Sequence, residues 1–244
     1  MTQVIVAESL LEHSQKSAEQ VNLQLSGVAS PVVFFPTGST PMGMYRELSS
    51  TLKNPNVDWT NATVFALDEY LGIKRQDHES FRNQLWEAAA KPLGLKPSQL
   101  VTPDCETVNP INEARNYESQ IESHPRVSLA VLGVGRNGHL AFNEPGTPID
   151  SVTHVAQLTD QTRTDNSEFF QNREVPRRAI TMGLSTIMRA EAIMVLALGV
   201  KKSRAIESLL TGAWDPDWPI SALTTHENVI VIIDKECGKG LGIG

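Results

Sequence analysis

The chain has 244 residues, 40% of them apolar and 20% charged, with a formal net charge of −7. This is the composition of an ordinary folded protein with enough chain to bury a core, and it excludes a disordered or fibrous one. The acidic balance, with no basic cluster longer than a pair, argues against a nucleic-acid partner. An anionic ligand would therefore need local cations or backbone N–H groups.

The opening "MTQVIVAESLLEHSQKS" has no basic region followed by an apolar signal core, and no apolar run approaches the roughly 20 residues that span a bilayer. The expectation is a cytoplasmic protein with no membrane partner. Cys105 and Cys237 lack metal-type spacing, which fits two inert thiols in a reducing compartment. Short apolar runs rich in β-branched residues recur along the chain. They are "VIVA" (4–7), "PVVFF" (31–35), "TVFAL" (63–67), "VSLAVLGV" (127–134), "AIMVLAL" (192–198) and "NVIVIID" (228–234). Both alternating faces of each run are apolar, the mark of strands covered on both sides. Between them, residues 9–25, 40–52, 80–93, 111–123 and 201–210 carry apolar residues near helical spacing. The alternation predicts an α/β fold with a mostly parallel sheet and helices on both faces, in a single domain over 1–244. Residues 146–180 are polar and weakly periodic, and read as a lid over a site or as a plain surface excursion.

In such a fold ligands bind beyond the carboxyl ends of the strands. After "PVVFF" comes "PTGSTPMGMYREL", where Gly38, Ser39 and Thr40 lead into a helix. The turn reads equally as an anion cradle or as an ordinary capped turn. After "TVFAL" comes "DEYLG". Asp68 is a candidate base facing the cleft while Glu69 caps or pairs elsewhere, although caps alone explain such pairs more often. After "VSLAVL" comes "LGVGRNGHLAFNEPG" (132–146), with Gly133, Gly135 and Gly138 on a dinucleotide-like spacing. Pro145 breaks the segment, no long helix follows and no ribose-binding acid lies at the right distance, so the dinucleotide reading is rejected. His139 instead has Glu144 nearby to orient it for acid–base work, beside the alternative of a simple hydrogen-bonding histidine. After "AIMVLALG", Lys201 and Lys202 sit at a helix start, an unfavourable place for cations unless an anion binds there; solvated lysines are the plain alternative. No metal-type spacing and no nucleophile elbow appear. The convergence of these groups on one side of a sheet points to proton-transfer chemistry on a small phosphorylated molecule.

The stretches "PTGSTPMGMYREL", "LDEYLG", "LGVGRNGHLAFNEPG", "AITMGLSTI" and "PISALTTH" together resemble the glucosamine-6-phosphate deaminase/isomerase family, in order over nearly the whole chain. Related 6-phosphogluconolactonases share the plan but differ after the histidine and after "DE". The resemblance implies a Rossmann-like three-layer α/β/α sandwich. It also implies metal- and cofactor-free conversion of an amino-sugar 6-phosphate and water into a ketose 6-phosphate and ammonium. It assigns Asp68 the proton transfer between C2 and C1 and His139 the ring opening, with Glu144 as the histidine's carboxylate partner. Lys202 and the Gly38–Ser39–Thr40 turn fall on phosphate-binding positions, and Gly135 and Gly138 let the sugar approach. Asn137 stands where many members carry Asp, and is expected to hydrogen-bond His139 without adding charge. Glu168 stands where some members place a phosphate-binding arginine. Arg163 or Arg173 is then the candidate substitute; a galactosamine-6-phosphate isomerase is the alternative reading, and a 6-phosphogluconolactonase a less favoured one. His154 and Ala156 replace basic effector-binding residues, so no allosteric activation and a monomer or small homo-oligomer are expected.

Overall fold

A computed structural model describes residues 2–50, 57–167, 169–170 and 173–243. All six apolar runs are strands of one seven-stranded sheet: β1 (Thr2–Ala7), β2 (Val32–Phe35), β3 (Thr63–Ala66), β6 (Leu129–Gly133), β9 (Ile193–Ala197) and β10 (Val229–Asp234), joined by a two-residue edge strand, β5 (Leu100–Val101). The order is β1-β10-β9-β6-β2-β3-β5 and every pairing is parallel. From β2 the chain steps outward to β3 and β5; from β6 it steps the other way, to β9 and β10. The direction of winding therefore reverses between β2 and β6, which opens a crevice at their carboxyl ends.

Alternate strand residues feed two cores. Phe34, Phe65, Leu132, Val195 and Val231 pack with α4 (Pro110–Glu122) and α7 (Ser203–Leu210). Val33, Phe35, Val131, Met194 and Ile232 pack with α1 (Leu10–Leu25), α2 (Met42–Ser50) and the short α3 (Phe81–Leu85). This is the three-layer sandwich expected. The helix anticipated over 80–93 is shorter than its periodicity suggests: α3 gives way to a π-turn over Trp86–Ala90.

A second sheet, antiparallel, has the order β4 (Asp68–Tyr70), β8 (Arg178–Thr181), β7 (His154–Gln157). Leu67 alone separates β3 from β4, so the chain passes directly from the large sheet to the small one. The described residues of 146–180 are thus structured where the sequence shows little periodicity. β7 and β8 form a hairpin around the short helix α5 (Asp160–Asp165), and its tip is tied down by ion pairs. Arg163 binds Glu174 at 2.8 Å, and Arg173 reaches Asp77 at 3.0 Å as well as Glu79. Glu168 lies outside the described residues. Among the described residues no helix is long and apolar enough to cross a membrane.

Candidate active site

At the crevice between β2 and β6 lies a cleft of about 590 Å³. The segments after β2, β3, β6 and β9 all line it, contributing Gly38 and Ser39, Asp68, Gly135 and His139, and Lys202. Helix α5 and the residues after it close one side with Thr162, Asp165, Asn166 and Phe169.

The β2 segment turns at Pro36, whose carbonyl accepts the buried Tyr45 hydroxyl of α2 at 2.7 Å. Thr37, Gly38 (φ +94°) and Ser39 then face the cleft. Thr40 does not line it, because the chain has already turned into α2 there. The sequence missed Thr37, one residue earlier.

Asp68 and Glu69 divide as their alternation along β4 requires. Asp68 is buried against the cleft, and burial followed by the charge of Glu69 pushes its carboxyl well above the usual range. Glu69 points the other way and caps α3, accepting the N–H groups of Phe81 at 3.0 Å and Arg82 at 2.9 Å as well as that of Tyr70. Burial still lifts it to about 7, against the three N–H donors and the Arg75 charge.

The loop after β6 is built around the histidine. A Cβ on Gly135 would sit 2.3 Å from the His139 ring, so only glycine gives the imidazole its seat. Gly138 does not line the cleft; it takes φ +79° against Trp218, where a Cβ would fall 2.9 Å from the indole. Ala141, the one non-glycine residue at positive φ (+51°) among those described, turns the chain sharply between His139 and Glu144. Asn143 locks that turn with its amide on the carbonyls of Leu140 and Met182, at 2.8 and 2.7 Å.

Glu144 then reaches back behind the histidine, 3.7 Å from the buried Nδ1, which is beyond hydrogen-bond distance. Its donors are the Asn137 amide at 2.8 Å, the Thr162 hydroxyl of α5 and the Thr159 hydroxyl at 3.5 Å. Burial works to raise its carboxyl, but the imidazole, the Thr162 hydroxyl and Asn137 outweigh it and hold Glu144 down at about 2. Asn137 does not bond the imidazole; its Oδ1 accepts the His139 backbone N–H at 3.3 Å while its amide holds Glu144. The Glu144 contact occupies the Nδ1 side and leaves Nε2 for a bound molecule.

Lys202 ends the 3-10 turn Val200–Lys202 before α7 and is half-buried, while Lys201 is exposed and does not line the cleft. Desolvation and then the Arg136 charge lower the Lys202 ammonium. Arg163 and Arg173 bind carboxylates and do not line the cleft, so neither supplies the extra phosphate cation expected from the sequence. Arg136 does line it. It was passed over in the sequence, although it is the one arginine or lysine in "LGVGRNGHLAFNEPG".

The family model described as glucosamine-6-phosphate isomerases/6-phosphogluconolactonase matches residues 5–232. The chain belongs to this family. A glucosamine-6-phosphate deaminase from Thermoanaerobacter sp. (strain X514) is 37% identical over 97% of this chain and 94% of that protein. One from Clostridium botulinum (strain Hall) is 34% identical over 98% of this chain and 99% of that protein. Among solved structures, a monomeric glucosamine-6-phosphate deaminase superimposes with a TM-score of 0.93 at 35% identity, covering 98% of this chain and 99% of its own. A 6-phosphogluconolactonase from Trypanosoma cruzi, at 19% identity and a TM-score of 0.77, shares the fold.

Proposed function

We propose that this member of the family is an enzyme that converts glucosamine 6-phosphate and water into fructose 6-phosphate and ammonium. The observation that carries the reading is the placement of a buried carboxylate, Asp68, and a carboxylate-backed imidazole, His139, on one cleft that also holds Lys202 and the turn at 37–39. The relatives at 34–37% identity carry the deaminase name, which supports the same choice within the family.

In this reading Lys202, Gly38 and Ser39 hold the phosphate. His139 takes the proton of the anomeric hydroxyl and returns one to the ring oxygen, giving the open-chain aldehyde. Glu144, already ionised, stabilises the imidazolium that forms between the two transfers. Asp68 removes the C2 proton while one proton of the C2 ammonium passes to O1, giving an enolamine, and Asp68 then delivers its proton to C1. The resulting ketimine adds water and releases ammonium. A base on a C–H bond profits from the raised proton affinity that burial gives Asp68, and the substrate's own C2 ammonium favours the ionised carboxylate once bound.

The residues supply proton transfer without calling on a cofactor. The 35%-identical monomeric deaminase supports a monomer here, and the two buried free thiols, both pushed up by burial, suit a reducing cytoplasm. Ala156 is buried in β7 and offers no charge to an acetylated effector, so N-acetylglucosamine 6-phosphate should leave the substrate curve unmoved. The deciding experiment is ammonium release from glucosamine 6-phosphate and galactosamine 6-phosphate, offered separately to wild type and Asp68→Asn. Release from the gluco sugar by wild type, with the variant folded but inactive, is expected; an active Asp68→Asn would remove the aspartate from its role.

A further inference from the structure

We propose that Arg136 is the second cation of the phosphate subsite, acting with Lys202 across the mouth of the cleft, and that Asp165 faces the pair as an anion that weakens phosphate binding. The proposal rests on the sugar-phosphate reading of the cleft and names the residues that set its affinity.

Arg136 and Lys202 arrive from different strands, β6 and β9, yet both line the cleft with Gly38 and Ser39. Their charges interact, since Arg136 works to lower the Lys202 ammonium. Two cations held this close repel, and the cost is recovered when a dianion sits between them. Most other arginines around the site are occupied: Arg163 by Glu174, Arg173 by Asp77 and Glu79, and Arg82 by the carbonyls of Leu100 and Pro97. Arg136 has no ion pair at salt-bridge distance among the described residues, and it is an exposed residue of the cleft lining. A planar guanidinium fork can grip two phosphate oxygens, while the half-buried Lys202 contributes a point charge.

Asp165, the last residue of α5, also lines the cleft, and its charge acts on Lys202. Gln161 donates to one of its oxygens at 2.9 Å, which holds the carboxylate in place. In the empty cleft it offsets part of the positive charge. Against a bound phosphate it is a like charge, so phosphate binds against repulsion from α5.

The test is calorimetric titration of inorganic phosphate into full-length wild type, Arg136→Gln, Arg136→Lys and Asp165→Asn, with KM and kcat for glucosamine 6-phosphate measured on the same preparations. Arg136→Gln should weaken phosphate binding by about tenfold or more, the loss of one charge-assisted contact, and raise KM by a larger factor than it lowers kcat. Arg136→Lys should recover part of the loss. Asp165→Asn should tighten phosphate binding on the order of threefold. Wild-type phosphate affinity in Arg136→Gln, or no phosphate binding by wild type, would overturn the proposal. Should Arg136→Gln fail to fold, equal affinity in wild type, Arg136→Lys and Asp165→Asn would do the same. Loss of phosphate binding in Arg136→Gln without ammonium release by wild type from either sugar would keep Arg136 in its place and reject the deaminase reading.

Discussion

His139 is positioned by what is missing opposite it. The ring lies over the Cα of Gly135, and a single added methyl would come within 2.5 Å of three ring atoms. The imidazole would have to swing out, losing Glu144 behind it. Gly135→Ala should therefore cut kcat about a hundredfold, since a displacement near 1 Å is enough to cost that much, while circular dichroism stays as in wild type. A rate within threefold of wild type would mean that the ring position is not critical. Asp68, Glu69, His139 and Glu144 were legible in the sequence because each lies in a short motif directly after an apolar run. Arg136 was not, because an arginine inside a glycine turn looks like any solvated charge until a second cation is seen across the cleft. Asn137 was read as a partner of the imidazole; spacing puts it near His139 but cannot say which of its atoms faces the ring.

At the level of elements, the large sheet was readable because its strands are apolar on both faces, a pattern that little else produces over four to eight residues. The small sheet was not. Its strands are three or four residues long, β7 is half-exposed, and the pairing of β4 with β8 joins residues more than a hundred apart. Its attachment to the rest rests partly on one buried carboxylate. Glu118 of α4 accepts the Thr153 backbone N–H at 3.0 Å and the hydroxyls of Thr153 and Thr186, so it links α4 to the entry of β7 and to the short helix α6 (Leu184–Ile187). Removing it strands three buried donors. Glu118→Ala should lower stability by about 3 kcal/mol in urea unfolding, and Glu118→Gln, which keeps one acceptor, by roughly half as much. Equal losses in the two variants would mean that packing, not the donors, matters at this position.

For the molecule as a whole, two glutamates, one behind His139 and one capping α3, pull stability in opposite directions with pH. Glu144 is held at about 2, below its ordinary 4.5, so its contribution is complete above 4.5 and drains away as the pH falls towards 2. Glu69 is lifted from 4.5 to about 7. Between those values the folded chain keeps a proton that the unfolded chain has shed, so raising the pH favours unfolding; Asp68 acts in the same sense. The melting temperature should therefore peak in mildly acid solution and decline as the pH rises from about 4.5 to 7. Glu69→Gln should flatten the curve on that upper side, and Glu144→Gln on the acid side. Activity should move the other way, because Asp68 must be ionised to take the C2 proton, so kcat/KM climbs over the range in which the fold weakens. Melting curves and rate profiles recorded on the same buffers would show the two trends crossing. A melting temperature flat from pH 4.5 to 7, with Glu69→Gln running parallel to wild type, would show that Glu69 holds no extra proton in the folded chain.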